Sequence, residues 1–243
     1  MNDDLTQSAS RPSPQPLPLG VSDTALLVSA AGYLDGFTWV GHDHVFSNNM
    51  TGNIVLLGVD LVSRSWAASF SHILPIFAFF LGVAAARAIH SRVILKTLRH
   101  TSLVVLSVEI AALLLLGFLP GSTPAFWFTF SIAFVAAAQV ETFREVDGES
   151  FNSTFLTGDL RTLTESLFDW FAAKRTAQTS IRMRDFAVIC TVFLVGAAAG
   201  GFLVARFGNK ALWVDVGLLS IVLASIWPKS KIRTQETPAR IPH

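Results

Sequence analysis

Six apolar runs recur along the chain, and no other feature restricts its fold as much. They cover residues 25–40, 69–88, 101–119, 124–140, 186–205 and 211–227. A helix rises about 1.5 Å per residue, so about 20 residues cross the roughly 30 Å hydrocarbon core of a bilayer. Runs one, four and six are short for that task, and tilt, flanking residues or local thinning must make up the length. The rest of the composition agrees. Only 14% of the 243 residues are charged, against about 25% in soluble proteins, too few to cover a water-exposed surface. A net charge of +1 creates no field able to gather nucleic acid. Cys190 is the single cysteine, which rules out an intrachain disulfide and a Cys-rich metal cage; in its apolar run it reads as a bland buried thiol.

The basic residues alternate between connections. Arg87, Arg92, Lys96 and Arg99 follow run two. Arg144, Arg161, Lys174, Arg175, Arg182 and Arg184 follow run four, and Lys229, Lys231 and Arg233 follow run six. The other connections hold Arg64, then no base in 120–123, then Arg206 and Lys210. Positive loops stay in the cytoplasm, so both termini are expected there with six crossings between them. Residues 1–20, rich in Ser and Pro, lack the apolar centre of a signal peptide and read as a disordered tail. Residues 229–243 form a basic polar tail.

Two segments lie outside the tally of spans. FSNNMTGNIVLLGVDL (46–61) and NSTFLTGDLRTLTESL (152–167) each open a short amphipathic stretch with a Thr-Gly pair. Both are too short to cross, so each is expected to be a re-entrant or interfacial half-helix. Backbone of that kind is tolerated at membrane depth only where protein or a water-filled cavity satisfies it. Thr51 and Thr157 are expected to cap these helices, and Gly52 and Gly158 to allow close backbone approach.

The two segments also expose an internal repeat. Thr51-Gly52-Asn53 and Thr157-Gly158-Asp159 are offset by 106 residues. The same offset carries Asp35 onto Glu141 and Glu109 onto Asp215. Between these anchors the register slips by eight, so that FLGVAAARA at 80–88 aligns with FLVGAAAGG at 193–201 through Gly82 and Gly196. The expected fold is therefore all-α and polytopic, with about six transmembrane helices in two three-span repeats, 21–120 and 121–228. Three crossings per half is an odd number, which inverts the second half relative to the first. Inverted repeats with interrupted helices at their interface are the architecture of many secondary transporters.

GYLDGF at 32–37 followed by FSNNMTGNIVLLG at 46–58 resembles the YoaK-like family of uncharacterised bacterial integral membrane proteins. Gln139 and Arg144 followed by STFLTG at 153–158 are similar to that family's second motif, although Val140 stands where the family usually has Asn. The resemblance covers most of 32–227. It implies a multi-pass protein of the bacterial inner membrane and carries no activity with it.

Ionisable groups at membrane depth usually mark a pathway or relay, because each costs about 2.5–3.5 kcal/mol on insertion scales. Asp35 in run one and Glu109 near the middle of run three weigh most. Asp215 and Glu141, nearer span ends, weigh less, and pure packing is the competing explanation for all four. With them stand Asn49, Thr51, Gly52, Asn53, Gln139, Thr157, Gly158 and Asp159 as candidate substrate- or ion-binding residues. His42-Asp43-His44 offers no third ligand and reads as a solvated external loop rather than a metal site. The stretch Gly196–Gly201 reads as a close helix-packing face. No zincin, Walker, nucleophile-elbow or nucleotide fingerprint occurs, so no catalytic residue, metal or cofactor is expected. The expected function is a small transporter or channel-like protein, proton- or cation-coupled, acting on an unknown solute or ion in the lipid bilayer. A non-transporting module that binds a partner or lipid and a lipid-active enzyme are the alternatives, and a homodimer is compatible with three thin-walled spans per half.

Overall fold

A computed structural model describes residues 19–89, 101–143, 145–146, 149–150, 156–172 and 176–236. The basic residues Arg92, Lys96, Arg99, Arg144, Lys174 and Arg175, the sequence 152–154 and most of both tails lie outside the described residues. The helices are α1 (Val21–Gly41), α2 (Met50–Val62), α3 (Trp66–Ile89), α4 (Thr101–Gly117), α5 (Ala125–Thr142), α6 (Leu156–Phe171), α7 (Ala177–Phe207) and α8 (Leu212–Glu236). A short 3-10 turn, Gly208–Ala211, joins α7 to α8. Every apolar run is thus a helix. The departure from helix is a pair of two-residue antiparallel strands, β1 (Glu145–Val146) and β2 (Glu149–Ser150), between α5 and α6.

Among the described residues, Trp66–Ile89, Ala125–Thr142 and the helical stretch Ala177–Pro228 are long and apolar enough to cross a membrane. α4 is apolar but shorter. The outward faces carry large apolar side chains: Phe80, Leu194 and Phe202 are 68%, 68% and 62% exposed. A soluble protein rarely leaves so much contiguous apolar surface to water.

The closest contact in the bundle is between α1 and α7. A Cβ on Gly32 or Gly36 would collide with the carbonyl oxygens of Phe193 and Ala197. In return, one on Gly196 or Gly200 would collide with those of Ser29 and Tyr33. The register advances together on both helices, so α1 and α7 run parallel, backbone against backbone. Small residues permit such an approach, and dispersion over the long seam stabilises it in lipid, where apolar burial supplies little drive. Gly82 of α3 sits in the same way on the Phe134 carbonyl of α5, and Arg87 pairs with Glu141 further along. That second pair is parallel too. α4 and α8 pack against each other, with the Trp213 indole donating to the Leu114 carbonyl at 3.3 Å.

The remaining neighbours complete a pattern. α2 lies on α3 and α6 on α7; α4 touches α5, and α8 touches α1. Exchanging α1 with α5, α2 with α6, α3 with α7 and α4 with α8 reproduces the same set of contacts. The largest apolar cluster, with Tyr33, Leu34, Phe37, Leu106, Leu113, Phe128, Ile132, Leu219 and Val222, lies where α1, α4, α5 and α8 meet.

Candidate functional site

Two polar clusters are buried in this apolar bundle. The first forms where the chain doubles back after α1. Asn48 donates its backbone N–H to Asp35 Oδ1 at 2.7 Å, and Ser47 Oγ donates to the same oxygen at 3.2 Å. The Asn48 amide donates to the Ala31 carbonyl at 3.2 Å. Ala31 lies ten residues before the end of α1, so the chain has returned about 15 Å along that helix. From this depth α2 starts and climbs back along α3. Residues 42–49 and α2 together form an excursion that doubles back on α1 before α3 begins.

Side chains, rather than regular structure, satisfy the backbone of this turn. Asn53 is fully buried; its Oδ1 accepts from the Phe46 N–H at 3.0 Å and its amide donates to the Phe46 carbonyl at 2.7 Å. Asn49 caps α2, its side-chain oxygen accepting from the Gly52 N–H at 3.0 Å. Thr51, expected to be the cap, is instead exposed within the first turn. Asn49 precedes the first helical residue and reaches the orphan N–H three residues on, which is the geometry a cap requires. Gly52 fulfils its expectation: a Cβ there would press on the Phe46 ring and the Asn49 amide at 2.9–3.0 Å.

The second half differs in detail. Thr157 and Gly158 are both exposed, and a Cβ on Gly158 would meet nothing within 4 Å. The close approach expected there is absent, because no neighbouring segment among the described residues covers that turn of α6. Asp159 is half-buried and bears electrostatically on Cys190, itself half-buried and free. Cys190 lies thirteen residues into α7, so α6 also opens about 20 Å along its partner helix.

The second cluster joins Glu109 of α4 to Asp215 of α8. They are 1% and 0% exposed, and neither carboxyl has a hydrogen-bond partner among the described residues. Asp215 bears electrostatically on Glu109 and on Tyr33 of α1. Tyr33 Oη donates to the Ala211 carbonyl at 2.6 Å, one turn before Asp215. Asp215, nearer a span end and of less weight in the sequence than Asp35, is the acid whose field reaches Glu109. No hydrogen bond or ion pair links Asp35 to Glu109; Asp35 serves the returning turn. Gln139, buried in α5, has no partner for its amide nitrogen among the described residues. Glu141 is held by Arg87 across α3 and α5.

Ser47, Asn48 and Tyr33 drew no attention from sequence alone, and His42 was assigned to the wrong environment. The expected solvated loop is wrong for His42, which is 4% exposed. Its ring stacks on Phe37 and tilts against Phe128, at centroid distances of 4.8 and 4.2 Å. Burial holds its imidazole below the ordinary range, with polar contacts from the Phe37 backbone and Asn209 opposing; its Nδ1 has no hydrogen-bond partner among the described residues. Asn209 in turn donates to the carbonyls of Leu119 and Pro120. The connections after α1, α4 and α7 are thereby clasped at one end of the bundle. The aromatic residues at both ends of this contact were the available signal. No group of three or more metal-binding side chains occurs among the described residues.

An apolar exterior, spanning helices and polar groups hidden in the centre define a helical membrane protein of several spans. The chain belongs to the family described as Protein of unknown function (DUF1275), which matches residues 24–225. It is 26% identical to the UPF0700 transmembrane protein YoaK of Bacillus subtilis (strain 168) over 203 residues, 80% of this chain and 88% of that protein. The resemblance to the YoaK-like family is therefore correct. No solved structure matches.

Proposed function

We propose that this protein is a small transporter or channel-like protein of the bacterial inner membrane, moving a small solute or ion under proton or cation coupling. In this reading six spans form two inverted three-span halves with both termini in the cytoplasm. The observation that carries it is the exchange symmetry of helix packing, with α2 opening beside a buried acid partway along α1. An interrupted helix at the interface of inverted halves is how many secondary transporters build a site near the midplane. A scaffold has no need to repeat polar groups where each one costs insertion energy. Alternating basic connections support the orientation.

The test is flux in proteoliposomes under an imposed pH gradient or membrane potential, with a panel of ions and small solutes. Transport of any of them at rates above empty vesicles supports the proposal; a flat response across the panel retires it. Topology is tested in a Cys190→Ser background. Cysteines near Asn53 should react with an impermeant thiol reagent from outside, and those near Asp159 only from the cytoplasmic side. Reporters at Arg92, Lys174 and the C-terminus should read cytoplasmic, and one at Pro120 external. An external reading at Lys174 would sink the inverted arrangement.

A further inference from the structure

We propose that Glu109 and Asp215 form a proton-binding site in which the two carboxyls take up and release protons as one coupled unit. The proposal deepens the transport reading by naming the coupling ion, and it rests on that reading only for its purpose. The site itself stands on geometry. Both side chains are at least nine-tenths buried, on helices that pack directly together, and all four carboxyl oxygens are buried without a hydrogen-bond partner among the described residues. An ionised carboxylate can only accept, so what this pair lacks is a donor. Tyr33 is the nearest candidate, but its single O–H is given to the Ala211 carbonyl.

Among the described residues, no positive charge is paired with either acid. α1 brings Tyr33, while its Asp35 is engaged by Ser47 and Asn48 and its Asp23 faces Gly20. The titratable residue of α5 is Glu141, held by Arg87. Lys210 in the 3-10 turn is exposed. Lys229, the first base on α8 after Asp215, lies about 21 Å further along the helix. Two bare carboxylates buried on directly packed helices, each in the other's field, repel and forgo their hydration. A proton taken from water removes one of the two charges, and so relieves the repulsion that each carboxylate imposes on the other. A hard metal cation fits less well, since it takes about six to eight oxygen ligands and the pair offers four.

The test is pH-difference infrared spectroscopy of the protein in vesicles without any gradient, reading the C=O band of protonated carboxyls. Wild type should show a pH-dependent band, diminished in Glu109→Gln and in Asp215→Asn and further diminished in the double variant. Coupling requires each single variant to change the proton affinity of the remaining acid by about tenfold or more. Independent titration with unchanged affinity, or a wild-type band indifferent to both substitutions, overturns the proposal. Loss of the band on adding Na⁺ or K⁺ at fixed pH also overturns it, in favour of a metal cation. Should the amides fail to fold, Glu109→Asp and Asp215→Glu keep both carboxyls and must retain a coupled pH-dependent band; its absence counts against the site. The band without flux upholds the site and retires transport, whereas flux without the band does the reverse.

Discussion

Replacing Asp35 tests whether this acid anchors the returning turn, as its contacts indicate. Its Oδ1 accepts from the Asn48 N–H at 2.7 Å and the Ser47 hydroxyl at 3.2 Å, with all three residues buried. Asp35→Ala would leave two buried donors unpaired, at about 1–3 kcal/mol each. That places the variant about 2–6 kcal/mol below wild type, a large share of a typical stability of about 5–15 kcal/mol. Asp35→Asn keeps the shape and one acceptor oxygen but exchanges charge-assisted bonds for neutral ones, a loss of about 1 kcal/mol. Ser47→Ala removes one donor with its bond and should cost about 1 kcal/mol, and combined with Asp35→Ala the two losses should be less than additive. Thermal unfolding of the purified variants in detergent gives the ranking. Labelling of a cysteine at Asn48, in a Cys190→Ser background, reports whether the turn has lifted from α1. An Asp35→Ala protein that unfolds with wild type and keeps Asn48 shielded would refute the anchoring role.

Three further outcomes are expected. Gly196→Val and Gly200→Val should each cost about 1–3 kcal/mol or more by overpacking the α1–α7 seam, whereas Gly217→Ala, with nothing within 4 Å of the added Cβ, should be neutral or stabilising; thermal unfolding distinguishes them. Burial lowers the proton affinity of His42 in the folded chain, so the unfolded chain binds a proton there more readily: stability is fully present above about pH 6.5 and falls as pH drops below it, by up to about 1.4 kcal/mol per pH unit from this group. A His42→Gln variant, compared with wild type by unfolding at pH 7.5 and 5.5, should lose that part of the pH dependence. Arg87→Gln should lower stability more than Arg161→Gln, because Arg87 pairs with the nine-tenths-buried Glu141 carboxylate whereas Arg161 pairs with an exposed Glu165; equal unfolding temperatures would contradict this.

The helices, the two Thr-Gly excursions and the glycine faces were legible in the sequence because each depends on local periodicity or on residue size. The Gly32/Gly36 and Gly196/Gly200 pairs announce close approach before any partner is known. The alliances of the acids were not legible. Asp35 and Glu109 look alike in sequence, both carboxyls within apolar runs, and only tertiary packing gives one the N–H of a returning loop and the other a second carboxyl. Cap identity was missed for a related reason: Asn49 and Thr51 are both capping residues, and a shift of the helix start by two positions decides between them. His42 was misread because its burial depends on Phe128, contributed 86 positions later in the chain.

The parallel seam between α1 and α7 has a consequence for synthesis. Helix α1 finds its backbone partner only when residues 177–207 have been made, some 160 positions later. Through that interval α1 carries an unpaired glycine face and a buried-type acid, and it must wait beside lipid, a translocation channel or the early helices. The seam of α3 with α5 closes much sooner, within some 50 residues. Assembly is thus ordered in time, with one cross-half contact made early and the other sealing the bundle at the end. Two chains cut near residue 120 and expressed together should find each other through both seams, while either fragment alone would expose glycine-lined grooves and be open to proteolysis.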